Sequence, residues 1–306
     1  MKQIKKLAKI YRVPLAAFFS DKVPHLPSLP DYRVNREKNI SPTVNLAIRR
    51  AKYLSDMLYE ISGKKTKIPE FPRELGPGEL ADRLREYLKT NPPKNTTPNA
   101  ILDYYKRIVE EKLNVLVIEY PLEADDVRAF VIKGKISVIV LNESDDATVK
   151  LFSLFHELGH LLRGETGICS ITMEEDTDVE RYCNRFAAEF LMPEDEFRRA
   201  VEKYGKDDLK KLKRIFGVSI HAMKIRLLNL GFITREEYEE FKRSYEEMEK
   251  SKKSGGYVNW ERRYKNRVGN LAIEEVSKAH KRGDISFYEA MRILDLKYKY
   301  AEKLIG

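Results

Sequence analysis

Three short apolar runs follow one another in the middle of the chain, at residues 114–119 (N-V-L-V-I-E), 127–132 and 136–141. Runs this short and this rich in Val and Ile predict strands. Gly134 sits in a Lys-Gly-Lys turn between the last two, so those two form a hairpin and the three a small antiparallel sheet. The period then changes. Leu151, Phe152, Leu154, Phe155, Leu158, Leu161 and Leu162 crowd one segment, which predicts a core helix. Val179, Cys183, Phe186, Ala187, Phe190 and Leu191 recur at helical spacing in a second segment, ended by Pro193. A helix is also expected from about Pro42 to Ser62, followed by a Pro-rich connector around Pro69 to Pro98. Residues 208–231 show helix-turn-helix periodicity, with Ser219 as a cap and Lys224 and Arg226 as exposed charges. After a Lys-, Ser- and Gly-rich linker near residues 250–256, Ser286 and Glu289 mark the start of another short helix. The fold class expected is α+β: a small antiparallel sheet packed on a core helix, flanked by mainly helical segments.

The polar residues inside the core helix carry the chemistry. His156-Glu157-Leu158-Gly159-His160 is an H-E-x-x-H motif. Residues four apart share a helix face, so both imidazoles can reach one metal ion. Two imidazoles and a carboxylate among so many apolar neighbours are costly to bury without a partner, and a metal supplies one. Glu157 is placed to take a proton from water activated by that ion. This is the zinc-peptidase arrangement, with Glu157 as general base. Gly159 leaves one side of the helix open to close approach.

Zinc hydrolases typically use three protein ligands. No His follows His160 until His221, so a carboxylate is the better candidate for the third. Glu180, near the start of the second helix, can face the first across a short connection. Glu174, Glu175, Asp176, Asp178 and Glu189 compete with it, and spacing alone leaves the choice open.

The stretch from Asn142 through the H-E-x-x-H helix, then Glu180-x-x-x-Asn184-x-Phe186-Ala187-Ala188, ending Leu191-Met192-Pro193, resembles the ImmA/IrrE family of metallo-endopeptidases. The two-part signature is far more specific than H-E-x-x-H alone. The resemblance implies a zincin-like core, a Zn2+ cofactor held by His156, His160 and Glu180, and Glu157 as the catalytic base. Position 183 is Cys where the family usually has Ala, a small-for-small change. The similarity covers most of the chain and is strongest from about Asn114 to Pro193. Residues 1–22 are similar to the end of an XRE-type helix-turn-helix domain whose recognition helix would lie upstream. The expected organisation is therefore a helix-turn-helix remnant (1–22), a helical and Pro-rich connecting region (23–99), the peptidase core (100–193), a helix-turn-helix-like region (194–249) and a C-terminal helical region (250–306).

The reaction implied is metal-assisted hydrolysis of a peptide bond in a specific protein, by resemblance a helix-turn-helix repressor whose cleavage relieves transcription. An edge strand of the sheet can hold the substrate as an added strand. Tyr182 and His221 are candidates for stabilising the oxyanion, and neither is assigned. The 306 residues carry a formal charge of +9, unevenly spread: +9 over residues 1–120, −8 over 121–200 and +8 over 201–306. An acidic core between basic flanks keeps a second reading open, a DNA-binding regulator or antitoxin-like adaptor that uses the peptidase fold as a binding module. The sequence shows no signal peptide and no uninterrupted apolar run of about eighteen residues, so a cytoplasmic protein with no membrane partner is expected. Cys169 and Cys183 are expected as reduced thiols.

Overall fold

A computed structural model of the chain describes residues 3–4, 41–93, 96–122, 127–164, 178–251 and 260–305. The helix-turn-helix remnant expected at residues 1–22 and Cys169 fall outside those stretches, apart from residues 3–4. All three expected strands form: β1 (Leu116–Tyr120), β2 (Ala129–Ile132) and β3 (Val138–Asn142). Among the described residues, thirteen helices surround them. They are α1 (Pro42–Ser62), α2 (Pro77–Leu88), α3 (Pro98–Leu113), α4 (Ala147–Leu162), α5 (Asp178–Leu191), α6 (Glu194–Tyr204), α7 (Leu209–Phe216), α8 (Ile220–Asn229), α9 (Arg235–Ser251), α10 (Trp260–Val268), α11 (Asn270–Arg282), α12 (Phe287–Leu294) and α13 (Tyr298–Ile305).

The α+β fold stands, with one correction to the sheet. Its order is β1-β3-β2; β2 and β3 form the expected antiparallel hairpin, but β1 pairs parallel to β3. The sheet is mixed rather than antiparallel throughout. A near-continuous apolar run is the mark of a strand covered on both faces, where parallel pairs are found. All three strands are buried along their whole length. Val117, Ala129, Val131, Ile139 and Leu141 pack into a core with α2 to α8. Leu116, Ile118, Phe130, Ile132, Val138 and Val140 face a second core built from α1 and α10 to α13. The hairpin turn is fixed from behind, since a Cβ on Gly134 would lie 2.7 Å from Ser55 Oγ, which itself donates to the Ile136 carbonyl at 2.5 Å.

Buried charges tie the layers together. Glu119 on β1 accepts from Lys106 of α3 (3.0 Å) and Lys150 of α4 (2.8 Å), and Lys106 also donates to Asn266 of α10 (3.3 Å). Burial opposes the charge on Glu119, but the two ammonium groups outweigh it and hold the carboxyl below its ordinary range. Glu110 on α3 has the opposite balance. Burial pushes its pKa up from 4.5 to about 7, against the pull of Lys106 and of donated hydrogen bonds from Asn270 and the Val117 amide. A carboxyl whose folded pKa is raised stabilises fully below its unfolded pKa, and that contribution is lost as pH rises through the folded value. Wild-type stability should therefore fall relative to a Glu110→Gln variant between about pH 4.5 and pH 7, by up to about 3 kcal/mol. Urea unfolding of both proteins across that window checks it; parallel pH profiles would refute it.

The helix-turn-helix-like stretch forms as α7 and α8. Ser219 caps α8 through the Ala222 amide at 3.1 Å, and Gly217 makes the turn at φ 69°. Arg226 departs from expectation. It is 2 % exposed and forms a two-pronged ion pair with Glu189 of α5, at 2.7 and 2.5 Å. The last helices start as expected, with a Ser286–Glu289 capping box on α12.

Candidate metal centre

The first core is built around α4. Its apolar residues Leu151, Leu154, Phe155, Leu158 and Leu161 are buried, and so are His156 and His160, which stand one turn apart on a shared face. Helix α5 crosses this face in the opposite sense: Phe190 stacks on Phe155 at 4.0 Å, while Glu180 lies against His156 and His160. Gly159 permits that approach. A Cβ there would sit 3.1 Å from a Phe186 ring carbon and 3.2 Å from Cys183 Sγ. The close neighbours are thus side chains of α5 rather than backbone, and Cys183 fills this contact. Gly159→Ala gains about 1 kcal/mol of helix propensity but must push both neighbours aside, an overpacking cost of about 1–3 kcal/mol. A net loss of about 1 kcal/mol is expected in urea unfolding; a stabilised variant would show the contact to be loose.

Three ligand-type groups converge between the helices. Glu180 oxygens lie 3.1 Å from His156 Nε2 and 3.4 Å from His160 Nε2, and the two Nε2 atoms are 3.1 Å apart. All three donors fall within 4.8 Å of one another, a group that can hold a metal ion. Bonds of about 2.0–2.2 Å to a tetrahedral ion imply donor separations of about 3.3–3.6 Å, close to those observed. The other nitrogen of His156, Nδ1, is 2.9 Å from Asn184 Oδ1. With Nδ1–H donating to that amide oxygen, the Nε2 lone pair is directed at the cluster. Asn184 is the one residue of the centre whose role sequence reasoning missed. Its position one turn after Glu180, on the same face, was the available signal.

The electrostatics favour a cation. His156 is wholly buried, and that burial lowers its pKa against the pull of Glu180. Burial also opposes the charge of Glu180, yet hydrogen bonds to both imidazoles overcome it and hold the carboxyl well below its ordinary range. Glu157 is 0 % exposed, and neither of its carboxylate oxygens has a hydrogen-bond partner among the described residues. Burial first, then the charge of Glu180, raises its pKa well above the usual carboxylate value. A buried carboxylate without donors is costly. The donor set, with this orphaned acid beside it, fits a divalent cation.

The two competing carboxylates among the described residues are occupied elsewhere. Glu189 pairs with Arg226, and Asp178 is exposed and paired with Arg181 at 2.6 Å. Glu174, Glu175 and Asp176 lie outside the described residues. The Tyr182 hydroxyl donates to the Leu75 carbonyl at 2.7 Å, and Arg163 lies over its ring. His221 is 3.1 Å from the Tyr238 hydroxyl and packs among Tyr238, Phe241 and Tyr245.

Comparison with known proteins gave the following. Among solved structures, a Mycobacterium tuberculosis transcriptional regulator is similar at 15 % identity with a TM-score of 0.39; the match covers 59 % of this chain and 51 % of that one. The chain thus spans about half the length of that relative. No curated protein sequence matches. Residues 110–228, which include α4, α5 and the whole His-His-Glu group, match the Peptidase_M78 family model, described as an IrrE N-terminal-like domain. That stretch of the chain is therefore similar to the Peptidase_M78, IrrE N-terminal-like domain.

Proposed function

We propose that this chain is a zinc-dependent endopeptidase that hydrolyses a peptide bond in a specific protein, with a helix-turn-helix repressor as the substrate class. The observation that carries the reading is Glu157: a wholly buried acid with no hydrogen-bond partner among the described residues, adjacent in sequence to one of three convergent metal-type donors. His156, His160 and Glu180 would hold the ion. When bound, a divalent cation supplies Lewis acidity, acidifying water and polarising a carbonyl oxygen. Glu157 accepts the proton of the attacking water and returns it to the leaving amine. Asn184 keeps the His156 ring in the tautomer and orientation that ligation needs. The donor set of two imidazoles and one carboxylate suits zinc, and manganese or iron are its competitors. Cleavage of a repressor would relieve transcription, and the site sits in a chain in which no described helix is long and apolar enough to cross a membrane.

The DNA-binding alternative draws on the basic flanks. Its best reading helix is α8, and there the buried Arg226 is committed to Glu189 rather than to a phosphate or base. The peptidase reading is tested by elemental analysis of the purified full chain together with a cleavage assay on a helix-turn-helix repressor. About one zinc per chain is expected, with cleavage abolished by a chelator and restored by zinc. No metal after incubation with excess zinc would overturn the proposal.

A further inference from the structure

We propose that a cavity on the rear side of the sheet is a binding site for a small organic phosphate, of about the size of a nucleoside monophosphate. It is independent of the peptidase reading, because it lies in the layer formed by α1 and α10 to α13. Its volume is about 280 Å³. That is near the lower end of the range of ligand pockets, about 300–1,000 Å³, and too small for a dinucleotide.

The walls come from four separate parts of the chain. Arg50 projects from α1, Tyr120 ends β1, Tyr264 and Arg267 lie on α10, and the α12–α13 turn adds Asp295 and Lys297. Three cations thus meet one carboxylate around two phenols and an apolar floor. A concave site with an excess of one charge concentrates the field of that charge. Guanidinium and ammonium groups are the side chains that hold phosphate, and the phenols and floor suit an aromatic or sugar portion.

The site is also built in advance. Asp295 closes α12 in the left-handed conformation at φ 53°, with its amide bonded to the Arg292 carbonyl. Leu296 is buried just beyond it, and the Lys297 carbonyl accepts from the Tyr300 and Ala301 amides at 2.9 and 3.0 Å. The turn that presents Lys297 is therefore pinned on both sides. Arg267 is held by Glu143 through Nε and Nη2, at 2.8 and 2.7 Å, and a guanidinium has further N–H donors at Nη1 that these two contacts do not use. Arg263 also pairs with Glu143, so Arg267 is not its sole counter-ion. The Glu143 carbonyl in turn accepts from Lys150 of α4 at 2.8 Å. A phosphate on Arg267 would sit one ion pair and one hydrogen bond from the helix that carries the histidines.

Calorimetric titration of the full chain tests the site with AMP, adenosine, inorganic phosphate and a short single-stranded oligonucleotide as probes. AMP should bind, inorganic phosphate should compete with it, and adenosine should bind at least about tenfold more weakly. Lys297 is exposed, so Lys297→Glu should fold normally; it should weaken AMP at least about tenfold, and Lys297→Arg should restore it. Absence of AMP binding, or AMP binding unchanged in Lys297→Glu, would overturn the proposal. Oligonucleotide binding without mononucleotide binding would overturn it in favour of a nucleic-acid surface.

Discussion

Glu157→Gln should reduce hydrolysis by about 10²–10⁴-fold while metal content stays at that of the wild type. The substitution keeps the shape of the side chain and removes only its capacity to take a proton. The carboxylate has no hydrogen-bond partner among the described residues, so the substitution breaks no hydrogen bond there. Removing a desolvated charge that faces the negative Glu180 should leave the metal-free protein as stable as before, or more so. This combination separates a general base from a structural acid. A structural acid would give a lower Tm on replacement with little specific loss of turnover. His160→Ala is the contrasting variant, expected to lose the ion together with activity, because it deletes one of three donors. If Glu157→Gln retained full hydrolysis, the general-base role of Glu157 would fall; absence of hydrolysis in the metal-loaded wild type would instead favour the binding-module alternative.

The second large effect is on stability. Arg226→Ala is expected to cost about 3 kcal/mol, since it strands the Glu189 carboxylate against the core with its two-pronged partner gone. Arg85 cannot replace it, because its guanidinium is directed to the backbone carbonyls of Glu189 and Phe190 and to the Asp82 carboxylate. The double variant Arg226→Met with Glu189→Leu should recover most of the loss, because neither charge is then left alone. Urea unfolding of the two singles and the double gives the coupling directly. Additive losses would show that the pair contributes nothing. The same pair fixes α8 on α5 behind the metal centre, so the single variants should also weaken metal retention.

What the sequence made legible follows from how local each signal is. H-E-x-x-H places two donors on one face by helical geometry alone, and Glu180 comes to it through the amphipathic period of residues 178–193. Structure brings those three residues together. The β2–β3 hairpin was likewise readable from Gly134 between two Val- and Ile-rich runs. The readings that failed depended on partners far along the chain. Arg226 looked exposed because its partner is 37 residues away on another helix. The parallel β1–β3 pairing depends on a second helical layer at the back of the sheet, and the residues of that layer come from both ends of the described chain. Asn184 was visible as a letter in a motif, but its bond to His156 Nδ1 requires the packing of α5 on α4.

That rear layer has a consequence for the timing of biogenesis. Leu116, Ile118, Val138 and Val140 are covered partly by side chains between Val268 and Ile305, which leave the ribosome long after Glu180. At about 5–20 residues per second, the three donors exist for on the order of ten seconds before the last cover can dock. During that interval the nascent chain holds an uncovered apolar sheet behind an incompletely supported α4. Completion of the support behind the His-His-Glu group is thereby coupled to late stages of synthesis, and a chain stalled before α11 would be a target for chaperones.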